Sequence, residues 1–407
     1  MEVMAVKVKL TEVKSGYRGI SRVSRFSSSQ RSKMIIAASL VGVFIFVYII
    51  SVVGILPVEA VGARLSSLVS DDKKFPLDIS ASSTEVIDNL GDNIFVLTAD
   101  NFTLYSPSGK VIYTKAHSYA SPTVSINGDN AVVFDRGDVG YMLINHKKIV
   151  KEDNFTDPII CAEYGKSGNY ALGTRSSSAT SMLTVYSATN KLKFQWKCAY
   201  EHIVSIALSD NGRYAGAAVV GADNGEIFTT VQYFGFDYSE PVNTQTVKGA
   251  APFNLEFTDR NILTLFSDVG IFKITKKSET TDIITAYYSS EFNSYDYADN
   301  GKYVVSLAKY GSANNFSISV YSSKGKAKAN IDADYSIKSV TMSDKYIFAL
   351  AENKVIVYNL RGKVVSNINI KGDATAVCGT DRFAYISSRN KITRCYSYGD
   401  SSIEILS

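Results

Sequence analysis

Metal binding and nucleophilic catalysis fall first to histidines, cysteines and clustered carboxylates, and in this 407-residue chain those residues are few and scattered. The three histidines, His117, His146 and His202, lie far apart at turns or strand ends, with no HxH, HExxH or His–Cys grouping. None of the four cysteines, Cys161, Cys198, Cys378 and Cys395, forms a CxxC pair or has a histidine at metal-ligand spacing. The most cation-like string, Asp296 to Gly301 (DYADNG), lacks the alternating carboxylates and closing Glu of a calcium loop, and doubles as a hairpin turn. No GxSxG elbow, phosphate-binding loop or dinucleotide fingerprint is present. Catalytic, cofactor-binding and metal-ligating residues are therefore all assigned as none, and the chain reads as a non-enzyme. Asn101, Asn154 and Asn315 head NxS/T sequons, which matter only in a eukaryotic source.

The elements that would have to position any chemistry are repeated β-units. From Thr84 to the C-terminus a phrase of about 40 residues recurs about eight times, each with four strands. The first turn is its most regular part: NLGDN from Asn89, INGDN from Ile126, KSGNY from Lys166, DNGRY from Asp210 and DNGKY from Asp299, with TDRN, SDKY and TDRF as shorter relatives. Asn-Gly and Ser-Gly supply the positive φ of a tight hairpin without steric cost. Apolar runs such as IFVLT, AVVFD and YIFALA follow as buried central strands. The next strand ends in an aromatic: Tyr105, Tyr186, Tyr321 and Tyr358 recur at this place and are expected to wedge between neighbouring sheets. First strands are expected near residues 84, 122, 158, 203, 251, 294, 337 and 374.

The fold class that follows is all-β: a β-propeller of about eight four-stranded blades, with seven as the alternative. The last unit is expected to supply its own fourth strand from SSIEILS, and FPLDIS (Phe75 to Ser80) to add to the final blade. Cys161 and Cys378 fall on first strands, Cys198 on a fourth and Cys395 on a third, so all four are expected as buried, unpaired thiols.

The phrase LYSxxGKxxY, as in LYSPSGKVIY, resembles the third-to-fourth-strand phrase of quinoprotein-type and WD-like propellers. Only Trp196, in KLKFQW, keeps the tryptophan that ends that strand in quinoprotein repeats, and the Trp-Asp dipeptide of WD repeats is absent. The overall plan resembles an uncharacterised family of single-anchor bacterial membrane proteins with such a propeller. That resemblance implies the fold and brings no activity or cofactor.

Ahead of the repeats, residues 1–33 carry eight Lys or Arg against two Glu, a balance of +6. The whole chain is +4, so the remainder is −2, and nothing in it suggests nucleic-acid binding. Met34 to Leu56 is 23 residues without a charge. At ~1.5 Å per residue it reaches about 34 Å, enough for a bilayer core of roughly 30 Å. A signal peptide cleaved near Ala60 or Ala63 is the alternative, but its apolar region would be much shorter. The expected organisation is a basic cytoplasmic tail (1–33), a transmembrane helix (34–56), a juxtamembrane connector (57–83) and an extracytoplasmic propeller (84–407).

One asymmetry interrupts the repeat. The hairpin between second and third strands is short in units 1, 2, 5, 7 and 8. It is longer in unit 3 (Gly173 to Met182), unit 4 (Gly221 to Phe228) and unit 6 (Ala308 to Ser317). The connection Ala286 to Tyr297 between units 5 and 6 is rich in aromatics expected to be exposed. Ordinary drift of a degenerate repeat is the simpler explanation of these lengths. The functional reading is a partner-binding rim on blades 3 to 6 that includes Arg175, Asp223, Asn224, Tyr287, Tyr288, Tyr310 and Asn314. The expected function is a non-catalytic protein-interaction scaffold in the cell envelope, with an envelope protein or wall component as partner. The alternatives are a carbohydrate- or peptide-binding sensor and a degenerate quinoprotein-type or hydrolytic enzyme. Clustered carboxylates or metal ligands at the central channel would favour the enzyme.

Overall fold

The computed structural model describes residues 75–79, 84–287, 289–311, 314–388 and 390–404. The basic tail, Met34 to Leu56 and the connector up to residue 74 lie outside the described residues. Among the described residues no helix is long and apolar enough to cross a membrane.

Eight antiparallel sheets follow one another around a central channel, each with its first strand innermost. The first strands begin at Thr84, Pro122, Ile159, His202, Pro252, Ser290, Ser339 and Ala376, within four residues of the expected positions. This is an all-β propeller of eight blades.

Burial changes from strand to strand and explains the hydropathy pattern. Second strands such as Asn130–Asp135 and Tyr346–Leu350 are buried on nearly every residue, because both faces pack against neighbouring blades. Fourth strands such as Val111–Ala116 and Asn243–Lys248 are mostly exposed or alternate. Apolar clusters fill each space between blades, and the recurring third-strand tyrosines sit in them. Tyr186 stacks on Tyr170 at 4.9 Å, Tyr321 stacks on Tyr303 at 5.1 Å, and the Tyr358 hydroxyl meets that of Tyr335. Blades approach closely enough that a Cβ at Gly379 of blade 8 would lie 2.0 Å from the Phe348 ring of blade 7. All four cysteines are buried and unpaired.

Ring closure differs from expectation in one respect. Leu77–Asp78, from the FPLDIS segment, pairs with Lys391–Tyr396 as the outer strand of blade 8. The C-terminal Ser401–Glu404 is not that blade's fourth strand. It runs parallel to Val364–Lys371 as a fifth strand on blade 7. The fourth position of blade 8 is already filled, with Leu77 in the core beside Ile392. The chain after Tyr396 is instead pinned to blade 7: Ser366 Oγ donates to Gly399 O (2.7 Å) and Asn367 N to Asp400 Oδ1 (2.8 Å). Both ends of the propeller chain therefore hold the last two blades.

If this closure stabilises the ring, Leu77→Ala removes buried contacts and lowers unfolding free energy by about 2–4 kcal/mol. Leu192→Ala, on an exposed outer-strand position, changes it by less than about 0.5 kcal/mol. Denaturant unfolding followed by fluorescence of the single tryptophan, Trp196, measures both.

Candidate functional site

The first strands enclose a cavity of about 620 Å³ along the central channel. Carboxylates gather on its wall, buried at Glu163 and Glu256 and half-buried at Asp296, a pattern the scattered sequence positions did not reveal. Glu163 comes from blade 3 (Ile159–Tyr164), Glu256 from blade 5 (Pro252–Asp259) and Asp296 from blade 6 (Ser290–Tyr297). Asp88, from blade 1, is exposed to the lumen.

These side chains hold blades together. Glu163, only 3% exposed, accepts from Ser125 Oγ (2.5 Å) and Asn127 Nδ2 (2.6 Å) of blade 2. Ser205 of blade 4 donates to Asn254 Oδ1 of blade 5 (3.0 Å) and accepts from Leu255 N (3.0 Å). Glu256 accepts from Asn254 Nδ2 of its own strand (3.2 Å). Asp296 accepts from Met342 N of blade 7 (2.7 Å), and Asn89 of blade 1 donates to Gly379 O of blade 8 (2.7 Å). Buried polar groups are tolerable because the adjoining blade satisfies them.

Burial disfavours the ionised forms. It pushes Glu256 up to about 8, with the Glu163 charge adding to the effect. It likewise pushes Asp296 up to about 8, reinforced by Asp88. Glu163 is also raised by burial, against the lowering influence of its Ser125 and Asn127 donors. A protonated carboxyl beside other carboxylates is what general acid–base chemistry needs. The channel therefore carries the clustered carboxylates expected of an enzyme, although Glu163 and Asp296 each accept a hydrogen bond from the adjoining blade. Among the described residues no group of three His, Cys, Asp or Glu is placed to hold a metal ion.

One mouth of the channel is formed by the first turns. Asp210, Asp259, Asp299, Asp344 and Asp381 open five of them, as Lys166 does in blade 3, while Asp92 and Asp129 follow the glycine of the turns in blades 1 and 2. Lys166 Nζ donates to Asp299 O (2.9 Å) and lies 3.7 Å from Asp210 Oδ1. A Cβ on Gly128 of blade 2 would lie within 3.5 Å of both Lys166 and Asp299, so this mouth is narrow. The Asp recurrence was visible in the sequence but is also what turns favour; ring closure brings the residues to one mouth. The DYADNG string indeed forms a hairpin turn there, with Gly301 N donating to Ala298 O (2.8 Å).

The opposite face carries the residues expected at a rim. Arg175, Asp223, Asn224, Tyr310 and Asn314 are exposed at the hairpins of blades 3, 4 and 6. The unit 4 hairpin is not a longer loop: both strands lengthen to ten residues and meet in a two-residue turn, Asn224-Gly225, with φ of 51° and 87°. Tyr287 corrects the expectation of an exposed aromatic connection. It is 7% exposed and packs with Phe266, Ile271 and Tyr303 between blades 5 and 6. Tyr295 and Tyr297 are half-buried, and Tyr288 lies outside the described residues. Tyr287 and Tyr310 line one groove of about 510 Å³ between blades 5 and 6, with Phe253, Val269, Phe292 and Glu291. Arg175, Asp223 and Asn224 lie on other blades and do not line it. Phe253 and Val269 were missed because they lie outside the long hairpins.

A family model described as a family of unknown function, DUF5711, matches residues 72–395. No curated protein matches the sequence. Among solved structures, the C-terminal WD40 domain of Sif2 is 12% identical, with a TM-score of 0.56, over 79% of this chain and 97% of that one. Raptor from Chaetomium thermophilum is 11% identical, with a TM-score of 0.50, over 70% of this chain and 28% of that one. BamB from Moraxella catarrhalis is 12% identical, with a TM-score of 0.45, over 76% of this chain and 95% of that one. At such identities the likeness is one of fold.

Raising pH from about 5 to 9 is expected to destabilise the propeller. A carboxyl whose folded pKa lies above its unfolded value contributes stability at low pH, lost as pH rises through the folded value. For Glu256 that window runs from 4.5 to about 8. Glu256→Gln cannot ionise, so its thermal midpoint should fall less steeply than wild type over this range. Parallel melting curves against pH check it.

Proposed function

The chain belongs to the DUF5711 family of unknown function, and we propose that it is a membrane-anchored, extracytoplasmic propeller acting as a non-catalytic protein-interaction scaffold in the cell envelope. The observation that carries the scaffold reading is where apolar surface collects. Apart from outer-strand positions, the exposed large apolar residues are Tyr200, Ile227, Phe253, Val269 and Tyr310, with Tyr238 on the opposite face and Val204 on the channel wall. The first five lie at hairpins, blade connections or strand starts on one face of blades 3 to 6. Apolar side chains concentrated at one rim mark a contact surface, and loops on a rigid scaffold are where propellers vary at low structural cost. The channel carboxylates favour the enzyme alternative, while the bonds of Glu163 and Asp296 to adjoining blades also give those two a structural role. The anchor rests on the uncharged stretch Met34 to Leu56 behind a basic tail, and the extracytoplasmic placement on the charge asymmetry across it.

The full chain should stay with membranes through an alkaline carbonate wash, and a chain beginning at residue 57 should be released. In intact cells a Ser178→Cys variant should react with an impermeant maleimide, while the four buried native cysteines stay silent. Protection of the introduced thiol until lysis would reverse the topology. For the scaffold itself, in-cell crosslinking followed by mass spectrometry should recover partners. Shortening the hairpins of blades 3, 4 and 6 should reduce their capture several-fold, and undiminished capture by the folded variant would remove the rim from the proposal.

A further inference from the structure

We infer that the groove between blades 5 and 6 is the docking site for a protein segment presenting a lysine or arginine beside an aliphatic or aromatic side chain. The inference rests on the scaffold reading and names the chemistry of its partner. Phe253 begins the first strand of blade 5, Val269 tips that blade's second hairpin, and Phe292 and Tyr310 come from blade 6. Phe253 is 42% exposed and Tyr310 67%, so the walls of the groove are apolar and reachable.

Its floor is rigid. The Phe253 and Phe292 rings lie 4.3 Å apart, Phe292 continues to Tyr295 at 6.0 Å, and Tyr295 stacks on the fully buried Phe266 at 4.8 Å. An aromatic platform tied to the core offers contact area with little entropy left to lose on binding, as the anchors of protein interfaces do.

The charge of the groove selects the occupant. Asp268 and Glu291 line it with no Lys, Arg or His among the lining residues. Asp268 is positioned by Ala251 N, which donates to its Oδ1 (2.7 Å), and Glu291 is exposed. A partner cation gains from both carboxylates and from the faces of exposed aromatic rings, while an acidic segment is repelled. An apolar anchor with a neighbouring cation matches both halves of the groove.

The test is selection of a displayed library of random twelve-residue peptides on the full chain, followed by fluorescence anisotropy with the enriched peptides. Enriched sequences should place Lys or Arg within a few residues of Leu, Ile, Met, Phe or Trp. Phe253→Ala and Tyr310→Ala should each weaken binding by about tenfold or more. Glu291→Lys, at an exposed position, should weaken it at low salt, with the difference shrinking at high salt. Unfolding followed by Trp196 fluorescence shows whether Phe253→Ala remains folded, and Glu291→Lys tests the groove independently. Enrichment of acidic or uncharged peptides, no enrichment, or binding unchanged in Tyr310→Ala and Glu291→Lys would overturn the inference. Crosslinked partners retained by these two variants would overturn the groove while leaving the scaffold reading in place. Absence of crosslinked partners from the unaltered chain would remove the scaffold reading and this one with it.

Discussion

The structure depends on how the eight first strands are bonded to one another around the channel. Apolar packing between blades supplies most of the buried area, but it is non-directional and would tolerate slippage. Hydrogen bonds from Ser125 and Asn127 to Glu163, from Ser205 to Asn254, from Met342 N to Asp296 and from Asn89 to Gly379 O fix four of the eight neighbouring pairs of first strands. They lie where blades converge and side chains of neighbouring blades can touch. Because Glu163 and Asp296 each take a donor from the adjoining blade, losing one partner strands the other, which makes the ring specific in register.

The same constraint shapes the electrostatics. A propeller built on this inner girdle places acidic groups near one another, and burial keeps Glu256 and Asp296 protonated well above the usual carboxylate range. The cost of concentrating charge is lowered by leaving protons in place. At the narrow mouth, Lys166 lies among the Asp residues of the other first turns and reaches the backbone of Asp299. A fully acidic ring would be self-repelling, and Lys166 together with Arg213, Arg260, Lys302, Lys345 and Arg382 of the first turns offsets it.

On the far face the structure is freer. Hairpins there do not take part in the girdle, so their length and side chains can change without disturbing the blades. Blade 4 uses this freedom to extend a stiff two-stranded finger, and blades 5 and 6 use it to bring Phe253, Val269 and Tyr310 to one groove.

The repeat period, turn motifs and apolar runs were enough to predict eight four-stranded blades and their starts, because hairpin geometry and blade packing dictate residue type locally. The sequence by itself also placed the four cysteines and the recurring tyrosines, whose environments follow from strand position alone. Tertiary structure decided what depends on closure. The strand Ser401–Glu404 went to blade 7 because Leu77 already fills blade 8. Tyr287 turned inward because its connection packs between two blades, which no local pattern records. Glu163, Glu256 and Asp296 are far apart in sequence and look like ordinary strand residues; only the ring puts them on one wall. The groove, too, joins residues from two blades whose separation in the chain hides that they share a surface.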